Sequence, residues 1–320
     1  MAKVLPLVAA IILLLAFGSA PARGQSAGSR VLRADFQSET LNRTYQYTVI
    51  LPAGYDESAA RYPVLYLLHG RGDVMDSWLE ARTVLDDLIA NGDIPPIIAV
   101  LPDMPSSERA GYYIDSQYTG SLYRAEAVET AFMNDLIPHI EATYRALTHR
   151  EARLVGGYSM GGYGAIRYSM AYPERFVGAL VLSPAVYLPL PPADSSTREF
   201  GAFGSGAALF DEAIYQSLNY PALVESLAAS ELPLSMFIAV GDDEWKNPNP
   251  EDRLHDLDME AHMFFNQVAR IGTVQSEFRV YNGGHDWDVW RRGFEEGLRY
   301  LMGFIQMNES AQAARLTDTL

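Results

Sequence analysis

The sequence predicts an α/β fold in which a mainly parallel sheet is covered by helices on both faces. The first observation is a set of short, near-continuous apolar runs, typical of strands buried on both sides. These runs occupy residues 64–68, 97–101, 154–155, 177–182 and 236–240. The second observation is that helix-like patterns lie between the runs. They cover residues 76–90, 124–144, 160–171, 258–270 and 289–305. Strands that alternate with helices favour a parallel sheet.

Two segments depart from this alternation. Residues 44–51 read TYQYTVIL, an alternating pattern that predicts a half-buried strand, and we expect an antiparallel hairpin over residues 31–51 to add edge strands. Residues 185–233 are rich in Pro, Ser, Gly and Ala and have only weak periodicity. We interpret them as an insertion over the active edge of the sheet.

The first residues resemble a secretory signal peptide. Lys3 precedes an apolar run over residues 4–17, and the small residues Ala20 and Ala22 follow it. The run is shorter than the roughly 20 residues of a membrane-spanning helix, although an uncleaved anchor is the alternative. We predict a signal peptide over residues 1–22, a single domain over 23–307, a flexible tail over 308–320, and a secreted or periplasmic protein.

Composition excludes several classes of function. The 320 residues are 48% hydrophobic and 20% charged, as in ordinary globular proteins. Because 24 Lys and Arg residues face 40 Asp and Glu residues, the net charge is −16, which disfavours binding to nucleic acid or to an anionic membrane surface. The absence of cysteine from the sequence excludes disulfides, Cys-ligated zinc and thiol catalysis.

A candidate nucleophile lies in the pentapeptide GYSMG, residues 157–161. An apolar run precedes it and a helical pattern follows it, which is the context of a GxSxG nucleophile elbow. Such a turn brings backbones close together, so we expect Gly157, Gly161 and Gly162 to remove side chains that would clash. The sequence therefore predicts Ser159 as a nucleophile at a helix N-terminus.

A serine nucleophile needs a base and an orienting acid, which follow it in the order acid, then histidine. His285 follows a strand-like run at residues 278–281 and a Gly-Gly turn, so we predict it on a loop at the active edge as the base. Four other histidines lie in or beside charged helical segments, where a solvated or capping role is expected. They are His139, His149, His255 and His262.

The acid is expected directly after the run at residues 236–240. There Asp242, Asp243 and Glu244 follow one another, and the position alone does not choose among them. A metal site that also uses Glu251 and Asp252 is the competing interpretation. The spacing lacks the pattern of a calcium loop and the sequence has no HExxH, so we predict neither a metal nor a cofactor.

Two backbone N–H groups are expected to form an oxyanion hole. Met160 follows the nucleophile and supplies the first. The turn HGRGD after residues 64–68 supplies the second, from Arg71 or alternatively from Gly72. His69, in the same turn, is interpreted as a structural residue.

These motifs together resemble a known family. YLLHGRG, GYSMGG, the acidic turn after FIAVG, and GGHDW are similar to the α/β-hydrolase esterases that include esterase D, feruloyl and acetyl xylan esterases, enterochelin esterases and the antigen 85 mycolyltransferases. The resemblance spans roughly residues 45–304. It implies an α/β-hydrolase fold with Ser159 as nucleophile, His285 as base, and the Arg71 and Met160 amides as the oxyanion hole. Its spacing implies Glu244 as the acid, whereas Asp243 has the commoner residue type, so both remain candidates.

The expected function is an exported serine carboxylesterase that works through an acyl-enzyme on a small-molecule or carbohydrate ester. An acyltransferase of the mycolyltransferase type and an inactive binding protein on the same scaffold are the alternatives. Four aromatic residues lie on segments expected to border the site, where they can stack on a sugar or a phenolic acyl group; core packing or wall-building is at least as good an interpretation of each. They are Tyr112, Tyr113, Trp245 and Trp287.

Overall fold

The computed structural model describes residues 28–307. The predicted signal peptide over residues 1–22 and the predicted tail over 308–320 lie outside the described residues.

The strands, in chain order, are β1 (Arg30–Ser38), β2 (Arg43–Leu51), β3 (Val64–Leu68), β4 (Ile98–Pro102), β5 (Gln117–Tyr118), β6 (Arg153–Tyr158), β7 (Gly178–Leu182), β8 (Ser205–Gly206), β9 (Leu234–Gly241) and β10 (Val274–Tyr281). Eight of them form one sheet in the order β1-β2-β4-β3-β6-β7-β9-β10, and β5 pairs separately with β8. β1 is antiparallel to β2, and β2 is antiparallel to β4. The other six strands of this sheet, β4, β3, β6, β7, β9 and β10, run parallel to one another. The predicted α/β class and the predicted antiparallel edge hairpin are confirmed.

The α-helices are α1 (Arg82–Ala90), α2 (Val128–Ala131), α3 (Ile137–Thr143), α4 (Met160–Ala171), α5 (Glu212–Leu218), α6 (Val224–Ala229), α7 (Leu257–Val268) and α8 (Trp287–Leu301). A π-helical turn, Phe132–Leu136, joins α2 to α3. Short 3-10 helices occupy Met75–Ala81, Ser107–Arg109, Arg150–Ala152, Ser196–Arg198, Tyr220–Leu223, Pro250–His255 and Met302–Phe304. No helix among the described residues is long and apolar enough to cross a membrane.

The core lies on both faces of the sheet. In β3, Tyr66 and Leu68 belong to the apolar cluster that α4 and α7 cover. Leu65 and Leu67 belong to the cluster that α1 and α8 cover on the opposite face. Every residue of this strand is buried, which explains its continuous apolar run.

The helix predicted over residues 124–144 begins later than expected. Ala127 forms an isolated antiparallel bridge with Asp115, and Ser116 N–H donates to Glu126 O at 3.2 Å. These long-range contacts hold the segment before Val128 in an extended form, so α2 begins at Val128. The segment predicted as an insertion, residues 185–233, contains α5 and α6.

Candidate active site

Ser159 lies at the sharp turn between β6 and α4. Its backbone is left-handed, with φ 57° and ψ −121°, a strained conformation for a residue with a side chain. A Cβ on Gly157 would lie 2.1 Å from Gly161 O, and a Cβ on Gly161 would lie 2.1 Å from Leu68 O. A Cβ on Gly162 would lie 2.9 Å from Leu182 O. The three glycines therefore have the steric role that the sequence predicts for them.

Hydrogen bonds hold this turn against the end of β7. Ser159 N–H donates to Leu182 O at 2.9 Å, and Ser159 O accepts from Ala185 N–H at 3.0 Å. The backbone of the serine is thus fixed by the strand next to its own.

His285 contacts one of the three candidate carboxylates. Its Nδ1 lies 2.9 Å from Glu244 Oε2, and the Glu244 side chain is only 1% exposed. The other carboxylate oxygen, Oε1, accepts from Gly241 N–H at 2.7 Å and from the Ser183 hydroxyl. Because a carboxylate can only accept, this arrangement holds the Nδ1 proton on His285 and leaves Nε2 as the basic nitrogen.

The two neighbouring aspartates have other partners. Asp243 is exposed and binds Lys246 Nζ at 2.6 Å, and this ammonium lowers the pKa of the Asp243 carboxyl. Asp242 accepts from Gly283 N–H at 3.0 Å. Of the three consecutive carboxylates, Glu244 alone touches His285 in the described structure.

Ser159 and His285 line one cavity of about 300 Å³ at the carboxyl edge of the sheet. Its lining residues are Arg71, Tyr112, Ser159, Ala185, Tyr187, Asp194, Ser195, Ser196, Trp245, Leu257 and His285. No hydrogen bond joins Ser159 to His285 within residues 28–307; such contacts are often long before substrate binds.

Two of the four aromatic residues expected at the site line this cavity, namely Tyr112 and Trp245. The other two lie elsewhere. Tyr113 is buried and donates to His69 O at 3.1 Å, and Trp287 packs edge-on against Trp78. Tyr113 and Trp287 therefore take the core-packing role, which the sequence leaves open for each of the four aromatic residues.

Two of the predicted oxyanion donors, the N–H groups of Met160 and Arg71, have no acceptor within residues 28–307. Met160 is the first residue of α4, where backbone N–H groups lack a helical partner. Gly72 N–H donates to Arg109 O at 3.3 Å, whereas Arg71 N–H has no acceptor among the described residues. This difference favours Arg71 over Gly72 as the second donor.

The loop that carries Arg71 is held by buried polar contacts. His69 is fully buried, and its Nδ1 lies 2.8 Å from Gly70 O, as expected for a structural histidine. Trp78 Nε1 donates to Leu68 O at 3.0 Å just before the loop. The remaining histidines contact structural groups: His139 with Tyr47, His149 with Gln306 O, His255 with Glu260, and His262 with Phe278.

Sequence reasoning missed the residues that position Glu244. Ser183 Oγ donates to Glu244 and accepts from Trp290 Nε1 at 3.0 Å. The Trp290 ring also stands edge-on to His285, with 5.1 Å between ring centroids. One signal was available for Ser183, because it directly follows the apolar run at residues 177–182 and therefore lies at the active edge. Tyr187, Ser195 and Ser196 of the cavity wall were missed too, since their segment has little periodicity.

Comparisons with known proteins show the family and the fold of the chain. A family model described as "Putative esterase" matches residues 38–301. The chain belongs to this esterase family. Solved structures show its fold: a ferulic acid esterase aligns with a TM-score of 0.69 and 26% identity, covering 87% of this chain and 99% of that one. An S-formylglutathione hydrolase from Agrobacterium tumefaciens aligns with a TM-score of 0.67 and 19% identity, covering 87% and 96% of the two chains. The α/β-hydrolase fold of the esterase is thus confirmed.

Curated relatives share parts of the sequence. An esterase of Mycobacterium tuberculosis is 36% identical over 144 residues, and the match covers 45% of this chain and 30% of the relative. The chain thus spans less than a third of the length of the first curated relatives it matches. An acetyl esterase of Caldicellulosiruptor saccharolyticus is 26% identical over 285 residues, or 85% of this chain and 97% of the relative. A Xylanibacter ruminicola protein named endo-1,4-beta-xylanase/feruloyl esterase is 30% identical over 199 residues, which cover 59% of this chain and 26% of the relative.

Proposed function

We propose that this esterase is an exported serine carboxylesterase whose triad is Ser159, His285 and Glu244. The observation that carries the proposal is the 2.9 Å contact between Glu244 Oε2 and His285 Nδ1, in a cavity that His285 shares with Ser159. A buried carboxylate that orients the imidazole is what a serine nucleophile needs from its base.

The reaction follows from the placement of these groups. His285 Nε2 takes the proton from Ser159 Oγ as the oxygen attacks the ester carbonyl. The N–H groups of Arg71 and Met160 stabilise the oxyanion of the tetrahedral intermediate. The alcohol then leaves with the proton from His285, and water attacks the acyl-enzyme by the same route. Glu244 stabilises the imidazolium that forms in each step.

We propose acylated carbohydrate as the substrate class. The relatives named acetyl esterase and endo-1,4-beta-xylanase/feruloyl esterase support this choice. The cavity offers one exposed aromatic surface, that of Trp245, on which a sugar or phenolic ring can stack.

Labelling with a fluorophosphonate tests the nucleophile, because only an activated serine reacts with it. We expect the purified protein to be labelled and to hydrolyse 4-nitrophenyl acetate, and we expect Ser159→Ala to lose both properties while remaining folded. A matched control is Ser217→Ala, since Ser217 is exposed on α5 and bonds only to its own helix. Full activity of Ser159→Ala would refute the proposal.

A panel of acetylated and feruloylated xylo-oligosaccharides tests the substrate class. We expect kcat/KM for at least one of them to exceed that for 4-nitrophenyl acetate. Hydrolysis of simple esters alone would contradict a carbohydrate substrate and leave the esterase assignment intact.

Export is proposed on the apolar run over residues 4–17 and the small residues after it. Expression of the full chain in a bacterial host followed by N-terminal sequencing tests it. We expect the mature chain to begin at Arg23 outside the cytoplasm; an intact N-terminus in the cytoplasm would contradict export.

A further inference from the structure

The residues that line the cavity beside Ser159 differ in their chemistry. Ala185, Trp245 and Leu257 are apolar. A second set of lining residues contains one guanidinium and several hydroxyl groups. It consists of Arg71, Tyr112, Tyr187, Ser195 and Ser196. We call this set the cationic wall.

Arg71 has no anionic partner in the described part of the chain. None of the ion pairs or side-chain hydrogen bonds within residues 28–307 involves its guanidinium, which lies 5.6 Å from the ring centroid of Phe200. Arg167 on α4 differs in this respect, because its guanidinium donates hydrogen bonds to both carboxylate oxygens of Glu129. A guanidinium without a partner at a catalytic cavity is free to bind a carboxylate through two parallel hydrogen bonds.

The hydroxyl groups next to Arg71 are held in place as neutral groups. Tyr112 OH bonds to Thr197 Oγ1 at 2.7 Å, and Ser195 Oγ bonds to the same oxygen at 3.0 Å. Burial raises the pKa of both Tyr112 and Tyr187, so both phenols keep their protons at neutral pH. The cationic wall therefore carries a fixed positive charge without a competing phenolate.

One carboxylate, that of Asp194, is among the described residues that line the cavity. Asp194 is exposed and makes no ion pair with Arg71 in the described structure. In a chain with a net charge of −16, an anionic ligand is repelled at long range, so a local cation at the reacting centre has a clear use.

We propose that the cationic wall binds a carboxylate on the substrate, so that the enzyme prefers esters that also carry a carboxylate. The inference rests on the proposed esterase function of Ser159. The carboxylate can belong to the acyl part, as in a monoester of a dicarboxylic acid, or to the alcohol part, as in an acylated uronic acid. The shared chemistry is a carboxylate within reach of Arg71 when the ester carbonyl lies at Ser159.

Paired substrates test the proposal. The acyl-side pair is the 4-nitrophenyl monoester of adipic acid and the matching adipamide ester. The alcohol-side pair is an acetylated methyl glucuronoside and the matching glucuronamide. We expect the acid to exceed the amide in kcat/KM in at least one pair, and we expect Arg71→Gln to lower that ratio by about tenfold or more.

The acid-to-amide ratio of kcat/KM distinguishes an effect of the Arg71 side chain from an effect of its backbone N–H. A change in the oxyanion hole would alter both members of a pair alike and would leave their ratio unchanged. Arg71→Lys should keep part of the preference, because it retains the charge but loses the planar fork. Arg61→Gln is the matched control, since Arg61 is exposed and precedes β3 at the opposite edge of the sheet.

An acid-to-amide ratio that is the same in Arg71→Gln as in the unchanged enzyme, in both pairs, would overturn the inference. The amide-bearing esters of each pair test the proposed function separately. If Ser159→Ala still hydrolysed their ester bonds, the proposed function would be overturned, so the two failures are distinguishable.

Discussion

Glu244 and Asp243 are adjacent, yet only one of them reaches the imidazole. After β9 ends, the chain turns so that Glu244 points back to Gly241 N–H at 2.7 Å and inward to His285. Asp243 points outward to Lys246. The Glu244 side chain is also the better hydrogen-bonded one, since a hydroxyl and a backbone N–H both donate to Oε1. This difference in side-chain direction favours Glu244 over Asp243 as the acid of the proposed triad.

Replacement of Glu244 by Gln tests this selection. Both donors point at Oε1, so the new NH2 group would take the place of Oε2 and face the Nδ1–H of His285. The imidazole would then favour the wrong tautomer, and we expect kcat to fall by about 10³–10⁴. Steady-state kinetics on 4-nitrophenyl acetate measures the effect, with circular dichroism to check folding.

Asp243→Asn is the matched control, because it removes a carboxylate one residue away. We expect its kcat to stay within about twofold of the unchanged enzyme, since the Asp243–Lys246 pair is exposed. A large loss in Asp243→Asn together with an active Glu244→Gln would reverse the assignment.

At the scale of elements, the contact between α4 and β3 sets the distance from the proposed nucleophile, Ser159, to the loop that carries Arg71. Gly161 lies in the first turn of α4, and a Cβ there would lie 2.1 Å from Leu68 O at the end of β3. Arg71 lies three residues after the end of β3, so a displacement of α4 from β3 also displaces Ser159 from Arg71. In the proposed mechanism, close approach of α4 to β3 is therefore a condition for catalysis as well as for packing.

Gly161→Ala should consequently both destabilise and inactivate the protein. We expect the free energy of unfolding to fall by about 3 kcal/mol or more, because the obstructing atom is backbone and cannot rotate away. Gly303→Ala is the control, since a Cβ at Gly303 meets nothing within 4 Å. Urea unfolding measures both variants, and equal stability of the two would contradict the steric argument.

A second contact between elements depends on pH. Glu260 on α7 is fully buried and accepts from Leu188 N–H at 3.0 Å, which ties the segment after Tyr187 to this helix. Burial raises the pKa of Glu260 to about 8. His255 is its titratable neighbour, with Nδ1 at 2.7 Å from Oε1.

The sign of the pH effect follows from the raised pKa. The unfolded chain releases the Glu260 proton near its ordinary value of about 4.5, whereas the folded chain keeps the proton until about pH 8. The contribution of protonated Glu260 to the free energy of unfolding is therefore complete below about pH 4.5. It is lost as the pH rises from about 4.5 through about 8. We expect the unchanged protein to lose a few kcal/mol relative to Glu260→Gln between about pH 5 and about pH 9.

Chemical unfolding of both proteins across that range measures the difference. The Gln variant provides its own control, because its side chain does not titrate. A stability advantage of the unchanged protein that grows with pH would contradict the prediction, because it would require folding to lower the pKa of Glu260.

For the whole molecule, the sequence predicted the strands and helices whose formation depends on the apolar pattern of neighbouring residues. β3 occupies the predicted residues 64–68, because each of its side chains is buried and the apolar run is continuous. The late start of α2 could not be predicted, since the bridge between Asp115 and Ala127 joins residues 12 apart and overrides local propensity. The choice of Glu244 and the cavity role of Tyr187 likewise depend on directions that only the folded chain defines.

The net charge of the whole chain leads to a last prediction. A charge of −16 makes the folded state repel itself, and expansion on unfolding relieves part of that repulsion. Added salt screens charges that are more than about 10 Å apart at 0.1 M, while close ion pairs such as that of Arg167 and Glu129 are screened less. We therefore expect Tm at neutral pH to rise by a few degrees between about 10 and about 150 mM NaCl.

The same titration near the pI of about 4.7 separates this repulsion from other salt effects. The net charge is close to zero there, so screening has no net repulsion to relieve and acts only on attractive pairs. We expect the rise in Tm to vanish or to reverse at that pH, as measured by scanning calorimetry. An equal rise at both pH values would mean that salt stabilises this protein through its effect on apolar burial, and that the excess of acidic residues is spread widely enough to cost little.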